Sequence, residues 1–354
     1  MSGIATLVVV ARQDILAVAS SIVGLRGLLI EASDVRDATW DSFIASSSHP
    51  SVFQTSVWGQ VVKSLGQEPY QVSVTDEKGK IVAAALLVRR RTNSVLTGLG
   101  LNRGLVSWGP VANGESSLRS VLGVIREEAW KRGLSEVQIT NDVFDALAFL
   151  DSGFSPVETS LDHEIVVELG RSKEDLWNGL DKDCRSAVRK AERDGVEVFE
   201  GSSEEFYDLY LRTRERLNVK VTPKPFFKAI EDLMVKSGMA TFLIARIGGQ
   251  NVGAMIMLQF GGVAWYYEGA SDEKFWIHRA NNLLQWRAIE LAVQRKLIMY
   301  NLTQATSPEN KSDPAYGLYL FKSQFGGEVR RLSNFRFRTK KHEYIGRLLY
   351  ALAN

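Results

Sequence analysis

Cysteine is nearly absent from this sequence: Cys184 is the only one in 354 residues, so no intrachain disulfide can form. That suits a reducing compartment. The four histidines, His49, His163, His278 and His342, are scattered without HExxH or other ligand-like spacing. No structural metal is therefore expected. Charge of one sign is also missing. Lys and Arg number 43 against 41 Asp and Glu, a formal charge of +2, so any polyanion site must come from local clustering. No apolar run is long enough to span a membrane. The uncharged stretch Ile15 to Leu25 has 11 residues, against the ~20 a spanning helix needs, and no basic region precedes it. Residues 1–29 are expected to be an N-terminal extension. No Ser-His-Asp or Cys-His arrangement is readable, and Cys184 is read as structural.

The rest of the composition is that of an ordinary globular chain, 45% hydrophobic and 24% charged. The length suits two domains. The pattern predicts helices over 34–46 and 56–65, then strands 70–75 and 80–88 around the turn Asp76-Glu77-Lys78-Gly79. A helix over 116–131, strand 136–140 and a helix over 143–151 ending at Gly153-Phe154 complete the first half. The second half runs in the same order: helices 203–216 and 224–236, strands 240–247, 252–260 and 263–268, helix 279–295, strand 298–302 and helix 315–324 ending at Phe325-Gly326-Gly327. Gly79 and Gly153 are 74 residues apart, Gly249 and Gly326 77. This resembles a duplicated unit. Strand 163–169 and a helix over 173–194 form the join. No Pro/Gly-rich linker marks the boundary near 165, so the lobes are expected to pack tightly. An amphipathic helix over 339–353 is expected to fold back on the first lobe.

Basic residues cluster in the second half. Lys182, Arg185, Arg189 and Arg193 share one helical face, Arg212, Arg214 and Arg216 follow with Lys220, Lys224 and Lys228, and a third set lies near the C-terminus. Guanidinium forks suit phosphate oxygens, and a solvated face is the competing reading. Alternation in strand 263–268 sends Tyr266 into a cleft while Trp265 and Tyr267 pack in the core, or leaves all three as packing. Lys322 sits among Tyr319, Phe321 and Phe325, either as a snorkelling surface lysine or as a fixed cation at a site. The stretch Ala270 to Tyr316 has no glycine, so the Gly-rich loop typical of acyl-coenzyme A binding is missing.

The segments FQTSVW (53–58) with Lys63, WGPV (108–111), LWNGLDKDCRSAVRKAERDGVEV (176–198), YYEGAS (266–271), NNLLQWRAIELA (281–292) and GLYLFKSQFGGE (317–328), in this order, resemble the FemAB family of peptidoglycan-bridge aminoacyltransferases. The resemblance covers roughly residues 30–335. It implies an α/β fold of α+β type, with two tandem GNAT-type lobes of mixed, mainly antiparallel sheets flanked by helices. The expected division is 30–165 and 166–335, with 336–354 as the C-terminal helix. It implies an acyltransferase that moves an amino acid from aminoacyl-tRNA to an amine of a peptidoglycan or cell-envelope precursor. Lys63 resembles the first-lobe lysine that contacts the precursor's phosphates, Arg216 its second-lobe counterpart, and Lys322 the lysine near the transferring ester. Tyr266 and Asn282 are substrate-binding candidates, and Arg185, Arg189 and Arg193 candidates for nucleic-acid phosphates. Ala112-Asn113 follow Gly-Pro-Val where some relatives carry an acidic residue, so no carboxylate base is expected there. No bound cofactor is expected, aminoacyl-tRNA being a co-substrate. Alternatives are an acyl-coenzyme A-dependent N-acyltransferase of envelope or exopolysaccharide synthesis, and a non-catalytic binding module. The expected location is cytoplasmic, with peripheral membrane association through a lipid-linked substrate left open.

Overall fold

The computed structural model describes residues 26–31 (backbone), 38–90, 102–141 and 146–340. The first sheet takes up β1 (Arg26–Glu31), β2 (Glu68–Thr75), β3 (Ile81–Arg90), β4 (Asn102–Val106), β5 (Val111–Ala112), β6 (Leu134–Asn141) and β7 (Ser155–Pro156). Its helices are α1 (Ala38–Ser46), α2 (Ser56–Lys63), α3 (Glu115–Lys131) and α4 (Ala146–Asp151). Then come β8 (His163–Glu168), α5 (Lys173–Gly179), α6 (Lys182–Arg193), β9 (Glu197–Glu200), α7 (Ser203–Leu217) and α8 (Lys224–Ala229), the last running into a π-turn over Ile230–Val235. The chain continues through β10 (Ala240–Ile247), β11 (Gln250–Phe260), β12 (Val263–Ser271), a 3-10 turn (Glu273–His278), α9 (Ala280–Gln294), β13 (Met299–Ala305), α10 (Tyr316–Ser323), β14 (Glu328–Arg331) and β15 (Ser333–Arg338).

The two sheets are built alike. Their orders are β1-β2-β3-β4-β6-β15-β7, with β5 on β3, and β14-β8-β13-β12-β11-β10-β9. In each, a three-strand meander leads through one long helix (α3 or α9) to a strand parallel to the last of the three. Those two parallel pairs, β4–β6 and β12–β13, stand in otherwise antiparallel sheets. Both parallel ladders are short. The second holds only from Val263/Met299 to Trp265/Asn301, and beyond it β12 and β13 splay.

Three readings of the sequence need correction. The helix expected over 173–194 is two helices. Leu180 and Asp181 are extended, at ψ 146° and 149°, and the Asp181 amide donates to the Gln324 carbonyl at 2.9 Å. Residues 333–338, expected as the end of the second lobe and the start of a C-terminal helix, form β15. It pairs with β6 in the first sheet. Glu136 on β6, nearly buried, holds Arg336 and Arg338 of β15 there at 3.7 and 3.2 Å. The last residues of the expected N-terminal extension 1–29, Arg26 to Leu29, belong to β1, which pairs with β2 in the first sheet. Residues 1–25, and all of the helix expected over 339–353 beyond residue 340, lie outside the described residues.

The lobes share a core. Phe53 and Trp58 of the first lobe meet Trp265, Tyr267 and Phe226 of the second, with ring centroids 5.4–6.2 Å apart where they touch. Separate apolar clusters lie under α3 in the first lobe and between the second sheet and α5, α6 and α9.

Candidate functional site

The splay between β12 and β13 is built into the sequence. Thr303 has φ +62°, a conformation rare for a β-branched residue. Its amide bonds back to the Asn301 side chain at 2.6 Å. The pairing of β13 with β8 breaks across the same residues. β13 therefore turns away from β12, and the Thr303 hydroxyl spans the opening by donating to the Tyr266 carbonyl at 3.1 Å.

Lys322, on α10, fills this wedge. Only 3% of it is exposed. Its Nζ donates to the Gln304 carbonyl at 2.7 Å and the Thr303 hydroxyl at 3.2 Å, and it lies 5.5 Å from the centre of the Tyr266 ring. The surface-lysine reading is thus excluded, and the ring beside the ammonium is Tyr266 of the neighbouring sheet. Removal from water pushes the Lys322 ammonium down to about 7, against the opposing pull of Glu268 and Glu164. Burial raises the Glu268 carboxyl, against the pull of Arg214, whose Nη2 is 2.7 Å from it. Glu164, fully buried on β8, accepts from Asn301 Nδ2 at 2.8 Å and from Trp108 Nε1 of the first lobe at 3.1 Å. Burial also raises the Tyr266 phenol. An ammonium with two hydrogen bonds to protein keeps a third N–H to donate, whereas the neutral amine would spend both of its N–H groups on those two contacts. The site can therefore present a positive donor to a developing oxyanion or a phosphate.

Glycine placement protects this packing. A Cβ on Gly269 would fall 1.9 Å from the Tyr266 hydroxyl, and one on Gly326, at φ +76°, 2.3 Å from the Gly179 carbonyl. The second contact lets the turn after α10 press against the end of α5.

A family model for the acetyltransferase (GNAT) domain matches residues 180–310. UDP-N-acetylmuramoylpentapeptide-lysine N(6)-alanyltransferase of Weissella viridescens is 28% identical over 169 residues, 46% of this chain and 45% of that protein. The match thus spans about half the length of that relative. The crystal structure of FemX superposes with a TM-score of 0.76 at 16% identity, covering 91% of this chain and 99% of that one. A tandem GNAT protein from the clavulanic acid biosynthesis pathway superposes at 0.56 and 14% identity, covering 89% and 98%. The chain is thus similar in sequence to a Fem-type alanyltransferase and in fold to FemX, and it carries a GNAT-domain match over 180–310. Its two lobes are a tandem GNAT-type fold, as the repeat in the sequence suggested.

The candidate residues named from the sequence are dispersed. Tyr266 is brought to Lys322. Asn282, almost buried near the start of α9, donates to Gln324 Oε1 at 3.2 Å and faces the Cys184 sulfur at 3.8 Å, so its amide ties α9 to α6 and the end of α10. Lys63 ends α2, partly buried. Arg216 lies with its guanidinium 4.7 Å from the centre of the Trp276 ring and 3.8 Å from Glu273. Trp276, Arg279, Asn282 and Phe321 help line a cavity of about 170 Å3 at the α9 N-terminus. Arg185 is spent on the carbonyls of Asn178 and Leu180, holding the α5–α6 break. Arg189 stacks on Trp177 at 5.3 Å, in an open groove of about 580 Å3 whose lining does not include Lys322. Arg193 is exposed at the end of α6. Burial pushes the Cys184 thiol up to about 11 despite its basic helix. Sequence reasoning missed Glu164, Glu268 and Thr303 as parts of the site. A carboxylate immediately before the apolar run Ile165-Val166-Val167 of the strand HEIVVE was the available signal for Glu164.

Proposed function

We propose that this chain is a Fem-type acyltransferase that moves an amino acid from aminoacyl-tRNA to an amine of a peptidoglycan or other cell-envelope precursor. The observation that carries the reading is the buried Lys322 amine at the splay of β12 and β13, poised near neutrality. The acceptor amine attacks the ester carbonyl. Its N–C bond forms, the C–O bond to the ribose breaks, and the proton lost by the amine goes to the leaving ribose oxygen. The ester is already activated, so no covalent enzyme intermediate is needed. Alignment of the two substrates supplies up to ~7–11 kcal/mol. The Lys322 ammonium stabilises the oxyanion, and Lys63 and Arg216 take phosphates of the precursor. The Weissella relative's named acceptor, the lysine of a UDP-N-acetylmuramoylpentapeptide, supports this acceptor class.

One observation favours the acyl-coenzyme A reading, the GNAT domain match over 180–310. Against it, α9 starts from Arg279 at φ +56°, in a stretch where the expected glycine loop is missing. The two readings separate in one assay with purified protein and an amine-bearing precursor, offered charged tRNAs or acetyl-coenzyme A. Product mass should rise by one aminoacyl residue with charged tRNA and stay unchanged with acetyl-coenzyme A. An acetylated product would reverse the assignment, and no product from either donor would leave a binding module.

A further inference from the structure

The segment 211–225, LRTRERLNVKVTPKP, joins five cations to a single carboxylate, Glu215, and the phosphate-binding role uses only Arg216. It closes back on α7, the Val219 amide donating to Arg214 O and the Thr222 amide to the Tyr210 hydroxyl. Its apolar side chains are left outside: Leu217 is 50% exposed, Val219 43% and Val221 39%. The 3-10 turn ahead of α9 adds Trp276 at 48% and Ile277 at 68%. The contact of Arg216 with the Trp276 ring joins the two segments into one surface.

The charges around these residues are sorted. Arg212, Arg214 and Lys224 are held by Asp272, Glu268 and Glu204. Lys220, Lys274 and Arg279 have no carboxylate within ion-pair distance among the described residues. The result is a band of Trp, Ile, Leu and Val beside unpaired cations. A tryptophan at the edge of such a band, with its polar tip satisfied, suits a headgroup boundary: Trp276 Nε1 donates to the Ser271 hydroxyl at 3.1 Å. Lysines beside it can reach lipid phosphates while their stems lie on apolar surface.

We propose that this surface docks the protein on an anionic lipid bilayer, with Leu217, Val219, Val221, Trp276 and Ile277 entering the headgroup layer and Lys220, Lys274 and Arg279 facing lipid phosphates. Trp276 also lines the cavity at the α9 N-terminus, so docking turns the mouth of that cavity toward the bilayer. The docking does not depend on which acyl donor the protein uses.

Co-sedimentation of the full chain with phosphatidylglycerol–phosphatidylcholine vesicles, beside pure phosphatidylcholine vesicles, tests this. Binding should appear with the anionic vesicles and weaken as salt rises. Val219→Ser with Ile277→Ser, both exposed and so tolerated by the fold, should reduce it on the order of tenfold. Lys220→Gln with Lys274→Gln should reduce it roughly 30-fold, at about 1 kcal/mol per lysine. Transfer to a water-soluble acceptor should be unchanged in the Val219/Ile277 variant, which separates docking from catalysis. No binding to anionic vesicles, or binding that both double variants retain, would overturn the proposal. So would a surface whose lysine variants lose binding to tRNA while vesicle binding is unaltered.

Discussion

At the scale of single residues, Lys322 sets the behaviour of the site. A buried amine with its pKa lowered to about 7 has a consequence for stability whose sign is fixed. The unfolded chain takes up a proton on this lysine below about 10.5, the folded chain only below about 7. Between these values the unfolded state holds more protons, so the contribution of this residue to stability improves as pH rises through that window. Below about 7 the penalty for burying the charge is fully present. Lys322→Met should therefore raise the melting temperature relative to wild type more at pH near 7 than at pH near 10. A difference in melting temperature that is flat with pH would show that the lysine is not held in a dry site. The sequence revealed that Lys322 was out of place among aromatic residues. It could not reveal the burial, because the groups that enclose the ammonium, Thr303, Gln304 and Tyr266, come from β12 and β13.

At the scale of elements, the splay and the lobe contact converge on β8. Its Glu164 receives Trp108 Nε1 from the segment after β4, and Asn301 from β13. Trp108 is held by stacking on Phe53, ring centroids 4.8 Å apart. Trp108→Phe keeps the ring in the stack but removes one donor from a fully buried carboxylate. It should cost about 1–3 kcal/mol of stability. Urea unfolding of the variant measures this, and a loss under about 0.5 kcal/mol would remove Glu164 as a junction between the lobes. The long elements were readable from periodicity and turns, as with the hairpin at Asp76–Gly79 and the helices α3, α7 and α9. The short ones were not. The sequence reading passed over β4, β9, β14 and β15, a few residues each, because their pairing partners are distant in sequence. The break at Leu180–Asp181 was hidden because its cause is the Gln324 carbonyl, more than one hundred residues downstream.

At the scale of the whole molecule, duplication explains both what could be read and what could not. The matched order of meander, helix and parallel strand was visible from the spacing of glycines and apolar runs. Asymmetry between the copies was not. In the first lobe the end of the parallel pair is filled by protein. Gln54 donates to the Ser107 carbonyl at 2.6 Å and Asn141 to the Gly109 carbonyl at 3.2 Å. In the second, the equivalent opening receives the Lys322 amine, so the two copies of one unit differ in what fills it, neutral amides in one and a buried amine in the other. The shared core of Phe53, Trp58, Trp265 and Tyr267 fixes one against the other. In the proposed reaction the Lys322 ammonium assists acyl transfer at that opening. The most direct test of this role is the rate of transfer from aminoacyl-tRNA against pH, for wild type beside Lys322→Met. The wild-type rate, corrected for ionisation of the acceptor amine, should fall as pH rises through about 7. The variant should be slower on the order of 100-fold, with that limb gone. A variant that keeps the wild-type rate, or the same falling limb in both proteins, would contradict the role.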